Sequence, residues 1–179
     1  DFRDDSGIYI NGGGNQLLLT VDSNFLNFNI LPENIDVLMT SFASGASGFP
    51  LCYDNYDDNE KALILERNKI AIKSLLSTYI KVTKPKYYHP YAGMFSEYSE
   101  RDSYIKEKNF KNSIDNIEKF TSKLGCEFLK PNKNIEYYLK KNSLSYKTTK
   151  NKFLKKEDPD IYIKNYKENF KYDASKIIK

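Results

Sequence analysis

Two short apolar runs, LLLTV at residues 17–21 and IDVLMT at residues 35–40, show no alternation of polar and apolar positions. A strand with one face in water alternates with period two, whereas a strand covered on both faces reads as a continuous apolar run. The two runs therefore predict buried strands of an α/β sheet, and the rest of the chain is read around them. GIYI (7–10) and NGGGN (11–15) before the first run predict a hairpin around a glycine-rich turn. The connection at 22–34 holds one helical turn near Phe25 and Leu26. Residues 59–83 carry the clearest helical pattern. Asp57 or Asp58 can cap its start, Glu60 lies in its first turn and Pro85 lies beyond its end. Leu65, Ile72, Leu76 and Tyr79 share helical spacing and should face the sheet. KYYHP (86–90) returns as a strand, which makes strand, helix and strand a right-handed crossover. A second helix is predicted over 112–125, with Ser113 as cap, Ile114, Ile117, Phe120 and Leu124 as its apolar stripe, and Gly125 as its stop. CEFLKP (126–131) predicts a short last strand.

From about Lys130 the character changes. Residues 131–179 are rich in Lys, lack Gly and carry scattered aromatics, and are expected to be packed by residues such as Tyr137, Tyr138, Leu139, Phe153, Tyr162 and Phe170. This stretch is expected to form a helical or irregular extension, separate from a domain over 1–130. It is either a solvated face or a basic patch for an anionic partner.

Composition narrows the function classes. The 179 residues suit one domain, with 40% apolar and 29% charged residues. The net charge of +4 is carried almost wholly by Lys, Arg occurring only at 3, 67 and 101. Readers of nucleic-acid sequence usually rely on Arg, so a nucleic-acid partner is not expected. No apolar run reaches the length of a membrane span and no signal peptide opens the chain, which starts at Asp1 and enters a strand almost at once. The expectation is a portion of a longer cytoplasmic protein, without a membrane partner. Cys52 and Cys126 lie far apart with no CxxC pattern, so reduced thiols are expected.

Three features follow successive predicted strands: Asp22, the loop SFASGASGFP (41–50), and His89 with Tyr91. If those strands are parallel, the features share one rim, where open α/β sheets bind ligands. Each has two readings. The glycine- and serine-rich loop lines a site or is a tight turn. Asp22 binds a partner or caps a turn with Ser23 and Asn24. His89, the single histidine, carries protons or is structural.

VLMTSFASGASGFPLCY, KPKYYHPYAGMF and YIKEKNFKN, in this order, resemble segments of the CMP-N-acetylneuraminate hydroxylase family, over about residues 5–129. The resemblance implies the C-terminal half of an αββα metallo-β-lactamase-like sandwich, with a Lys-rich, partly helical extension. It implies part of a metal-dependent oxygenase that uses iron, oxygen and electrons to convert an N-acetyl to an N-glycolyl group on a nucleotide sugar or related anionic metabolite. By resemblance Asp22 is a ligand of an iron or zinc ion. Ser44, Gly45, Ser47, Gly48 and Tyr91 line the substrate pocket, and Lys106, Glu107 and Asn109 hold a segment over it; His89, where the family carries Cys, is the catalytic candidate by its own chemistry as a near-neutral proton carrier. The fold's HxHxDH motif and the cysteines and histidines of a Rieske iron–sulfur cluster are absent from this chain. The remaining metal ligands, the cluster and any electron donor are thus expected from an N-terminal half outside it. In KPKYYHPYAGMF the place of a metal-binding histidine is taken by Ala92. A hydrolase on the same fold, or a non-catalytic binding module, is the alternative.

Overall fold

The computed structural model describes residues 6–20, 26–43, 49–94, 103–108, 111–132, 134–141, 143–149 and 158–169. Its centre is a five-stranded mixed sheet in the order β1-β2-β3-β4-β5. The strands are β1 (Gly7–Gly12), β2 (Asn15–Thr20), β3 (Val37–Ser41), β4 (Tyr87–Tyr91) and β5 (Glu127–Phe128). β1 pairs antiparallel with β2 through the glycine-rich turn, where Gly13 and Gly14 both take positive φ, and β2 to β5 run parallel. The three strands expected to lie side by side thus do so. Leu19 pairs with Met39 and Met39 with His89, while Ser41 pairs with Tyr91. The strands therefore end at one edge.

Helix α1 (Asp58–Thr83) joins β3 to β4. Of the two predicted caps Asp57 is the one used, and it forms a reciprocal capping box. Its carboxylate accepts from Glu60 N at 2.8 Å, and Glu60 Oε2 accepts from Asp57 N at 2.9 Å. The helix ends at Lys84, which takes a left-handed conformation just before Pro85. Helix α2 (Ser103–Lys108) is a short piece, and α3 (Ile114–Lys123) starts on the Ser113 cap as predicted. One main core holds Leu18, Leu38 and Tyr88 of the sheet together with Leu76, Tyr79 and Ile80 of α1 and Ile117 of α3. Both helices thus cover the same sheet face. Ile72, expected to face the sheet, is only partly buried. The helical turn expected near Phe25 and Leu26 is found a few residues later, as a 3-10 turn at Phe28–Ile30.

Residues 135–148 depart from the helical or irregular expectation. They form an antiparallel hairpin of β6 (Ile135–Lys140) and β7 (Ser143–Thr148), and α4 (Pro159–Asn169) follows. The physical reason is a period-two pattern in IEYYLK, whose burial alternates residue by residue, hidden among so many Lys that it reads as a solvated helix. The hairpin reaches the sheet face opposite the helices. Because side chains alternate along a strand, that face carries Leu17, Leu19, Met39 and His89. Tyr137 meets His89 edge-on, with ring centroids 6.0 Å apart, and its hydroxyl donates to Lys130 O at 2.8 Å. The described residues form an α/β fold with a mixed sheet and four helices.

Candidate functional site

The rim begins at the carboxyl ends of β3 and β4. Gly93, with φ +80°, leaves β4 so close to the β3 loop that an added Cβ would stand 2.7 Å from Ala43 Cβ. Ala92 before it also has positive φ, at 57°. These two turns are locked together at the edge expected from parallel strands. Asp22 and the loop residues Ser44, Gly45, Ser47 and Gly48 lie outside the described residues, as does Asn109.

Helix length builds the next part. A helix rises about 1.5 Å per residue, so the 26 residues of α1 span about 39 Å, against about 17 Å for the five residues of β3. The C-terminal end of α1 is fixed beside the start of β3, where Ile35 N donates to Thr83 O at 3.2 Å. Its N-terminal half therefore runs past the sheet on the carboxyl-end side. There it meets the segment after the glycine-rich loop and the short α2, and a cavity of about 530 Å³ lies between them. That volume is in the range of small-molecule pockets.

The cavity floor is apolar: Leu51 and Leu65 are both buried and stand apart from the main core, with Ala62 beside them. Its wall is charged. Asp58 accepts the Tyr104 hydroxyl at 3.2 Å, Lys61 Nζ lies 5.9 Å from the Tyr104 ring centroid, and Lys69 pairs with Glu66 at 3.5 Å. Lys108, one turn after Tyr104, completes the α2 side. Desolvation first, and the Asp58 carboxylate next, push the Tyr104 phenol above its ordinary range, so it stays a hydroxyl donor.

The predicted residues distribute unevenly. Tyr91 is half-buried at the end of β4. Lys106 and Glu107 are exposed on α2 and do not line the cavity, although their neighbours Tyr104 and Lys108 do. His89 points to the opposite sheet face, as the next residue after the core-facing Tyr88. Its Nδ1 lies 2.9 Å from Pro90 O. Burial lowers its proton affinity, with the Pro90 carbonyl opposing that shift. The cavity and His89 are therefore on different sides of the sheet.

Sequence reasoning missed the α1 contribution. Asp58, Lys61, Ala62, Leu65, Glu66 and Lys69 follow i, i+3, i+4, i+7, i+8, i+11 spacing, one stripe along one helix face. The signal was a core-like stripe studded with charges, which marks a helix face that is neither solvent nor core.

Among the described residues no three His, Cys, Asp or Glu side chains come together to hold a metal ion. With one histidine in the whole chain, these residues do not fit a metal centre of their own, and no step is routed through one. Cys126 is no nucleophile, since burial pushes its thiol up to about 12. No helix among the described residues is long and apolar enough to cross a membrane.

Comparison with known proteins gives one consistent name. The chain is 31% identical over 175 residues to cytidine monophosphate-N-acetylneuraminic acid hydroxylase of Danio rerio, which covers 94% of this chain and 29% of that protein. The proteins of the same name in Xenopus laevis and Mus musculus are 34% identical over 110 residues and 33% identical over 115 residues, covering 60% and 63% of this chain and 19% and 20% of theirs. No protein-family model matches the chain, and no solved structure matches it. The chain spans less than a third of the length of the curated relatives it matches. Over most of its own length, then, this chain is similar to part of proteins named cytidine monophosphate-N-acetylneuraminic acid hydroxylase.

Proposed function

We propose that this chain is part of a hydroxylase acting on a CMP-linked sialic acid, and that it supplies the substrate-binding rim at the carboxyl ends of β2, β3 and β4. The observation that carries this reading is the 31% identity to the Danio rerio hydroxylase over 94% of the chain. Three parallel strands ending at one edge are the physical support, since α/β sheets bind ligands beyond their carboxyl ends. In this reading the sheet is one layer of an αββα metallo-β-lactamase-like sandwich. Ser44, Gly45, Ser47 and Gly48 give backbone N–H groups and hydroxyls to the nucleotide sugar, because a loop of small residues lets backbone approach a ligand closely. Tyr91 flanks it. Asp22 gives one carboxylate to an iron or zinc ion whose other ligands come from outside this chain. His89, behind the rim, orients Tyr137 and the hairpin rather than reaching the substrate.

The test is chemical. The complete protein, supplied with oxygen, a reductant and CMP-N-acetylneuraminic acid, is expected to give a product heavier by one oxygen atom, located on the N-acyl group by fragmentation mass spectrometry. A folded, metal-loaded protein that leaves this substrate unchanged while hydrolysing another ester or amide would replace the reading with that of a hydrolase.

A further inference from the structure

We propose that the cavity between α1, α2 and residues 49–57 binds the phosphate-bearing end of a nucleotide, with Lys61 and Lys108 holding the phosphate. This deepens the reading above and rests on it for the choice of nucleotide; the phosphate itself is argued from the cavity. Three ammonium groups, Lys61, Lys69 and Lys108, face two carboxylates, Asp58 and Glu66. The carboxylates are already engaged. Asp58 accepts the Tyr104 hydroxyl and Glu66 pairs with Lys69. Among the described residues no ion pair is found for Lys61 or Lys108. Two cations therefore stand at one cavity without a carboxylate of their own, and a compact anion with several oxygens satisfies both. Lys serves phosphate well as a point charge.

The rest of the wall fits an organic phosphate better than a bare ion. The buried Leu51 and Leu65 give an apolar floor, and the Tyr104 ring offers a flat face beside Lys61. A ribose or base packs there, while inorganic phosphate alone leaves the floor uncovered.

The experiment titrates CMP, cytidine and inorganic phosphate separately into the full chain by calorimetry, and follows the methyl signals of Leu51, Ala62 and Leu65 by NMR. CMP is expected to bind more tightly than either fragment and to shift those three methyls. The Lys61→Gln/Lys108→Gln variant, at one partly buried and one exposed position outside the main core, is expected to lose roughly ten-fold or more in CMP affinity with unchanged cytidine affinity. The salt dependence of CMP binding should weaken with it. Equal CMP affinity in the variant and the unsubstituted chain, or CMP shifts confined to other methyls, would overturn the proposal. The two readings part in a second assay on the complete protein. Hydroxylation of CMP-N-acetylneuraminic acid that survives Lys61→Gln/Lys108→Gln with unchanged KM overturns the cavity proposal and keeps the function. CMP binding lost in the variant, in a protein with no hydroxylase activity, keeps the cavity and removes the function.

Discussion

Substituting Gly93 by Ala tests whether the rim is built by close approach of two loops. Gly93 has φ +80°, and an Ala Cβ there would stand 2.7 Å from Ala43 Cβ, 3.4 Å from Ala43 N and 3.5 Å from Ala43 Cα. Two costs follow. The left-handed backbone costs an L-residue about 1–2 kcal/mol, and the clash with a rigid methyl costs about 1–3 kcal/mol as overpacking. The single variant is therefore expected to lose about 2–5 kcal/mol. Ala43→Gly alone removes a buried methyl and loosens the unfolded chain, for a loss of about 1–2 kcal/mol. Combining the two removes the clash and keeps the backbone strain. The double variant should then be more stable than the sum of the single losses by about 1–3 kcal/mol. Urea denaturation of the four proteins, followed by circular dichroism, measures this coupling. Additivity to within about 0.5 kcal/mol would refute the claim that the loops touch here.

Asp22→Asn in the complete protein should sharply reduce metal content while the fold holds, because the amide keeps size and loses charge; unchanged metal by elemental analysis would return Asp22 to a turn cap. Burial keeps the folded-state proton affinity of His89 below its ordinary 6.5. The unfolded chain then takes up the proton first, so His89 lowers stability as pH falls below about 6.5, by at most about 1.4 kcal/mol per unit. His89→Phe should flatten that part of a stability-against-pH curve, and an unaltered slope would show that His89 titrates alike in both states. Asp36 makes a later contribution. Burial raises its proton affinity, but the Lys86 ammonium at 2.7 Å and Gln16 N at 2.8 Å outweigh this and lower it. Its stabilising effect is thus present above about pH 4 and lost as pH falls further, and Asp36→Asn should remove this acid-side loss from urea-denaturation curves. Asp57→Ala should cost about 1 kcal/mol at the start of α1 by removing the capping box; unchanged amide exchange at residues 58–61 would refute that role.

What the sequence made legible was whatever short-range physics dictates. Unalternating apolar runs announced β2 and β3, and cap and stop residues bounded α1 and α3 to within a few positions. The cap at Ser113 and the stripe through Ile117 need nothing beyond local spacing. The β6–β7 hairpin escaped because only β6 alternates, over six residues, and β7 is almost wholly exposed with Ser, Lys and Tyr that also suit a solvated helix. His89 was read as a rim residue because it stands near a strand end in the sequence. Alternation with Tyr88 turns it to the far face, and one residue of register decides that. The cavity was hidden for a different reason: it needs α2 to fold back beside a helix more than forty positions earlier, as the Tyr104–Asp58 hydrogen bond shows. No local pattern encodes that meeting, although the charged stripe on α1 marks half of it.

The overshoot of α1 makes the helix a cantilever. Its far end is clamped by Leu76, Tyr79 and Ile80 in the core, while its first three turns carry the capping box, the buried Leu65 outside that core, and the hydrogen bond from Tyr104 of the short α2 to Asp58. Fraying of that free end needs no disturbance of the sheet, so it can occur at a small fraction of the cost of global unfolding. A ligand seated against it would brake that fraying before it altered the melting of the whole protein. Protection of the amides of residues 58–69 is then the sensitive gauge of occupancy, and the melting temperature a blunt one.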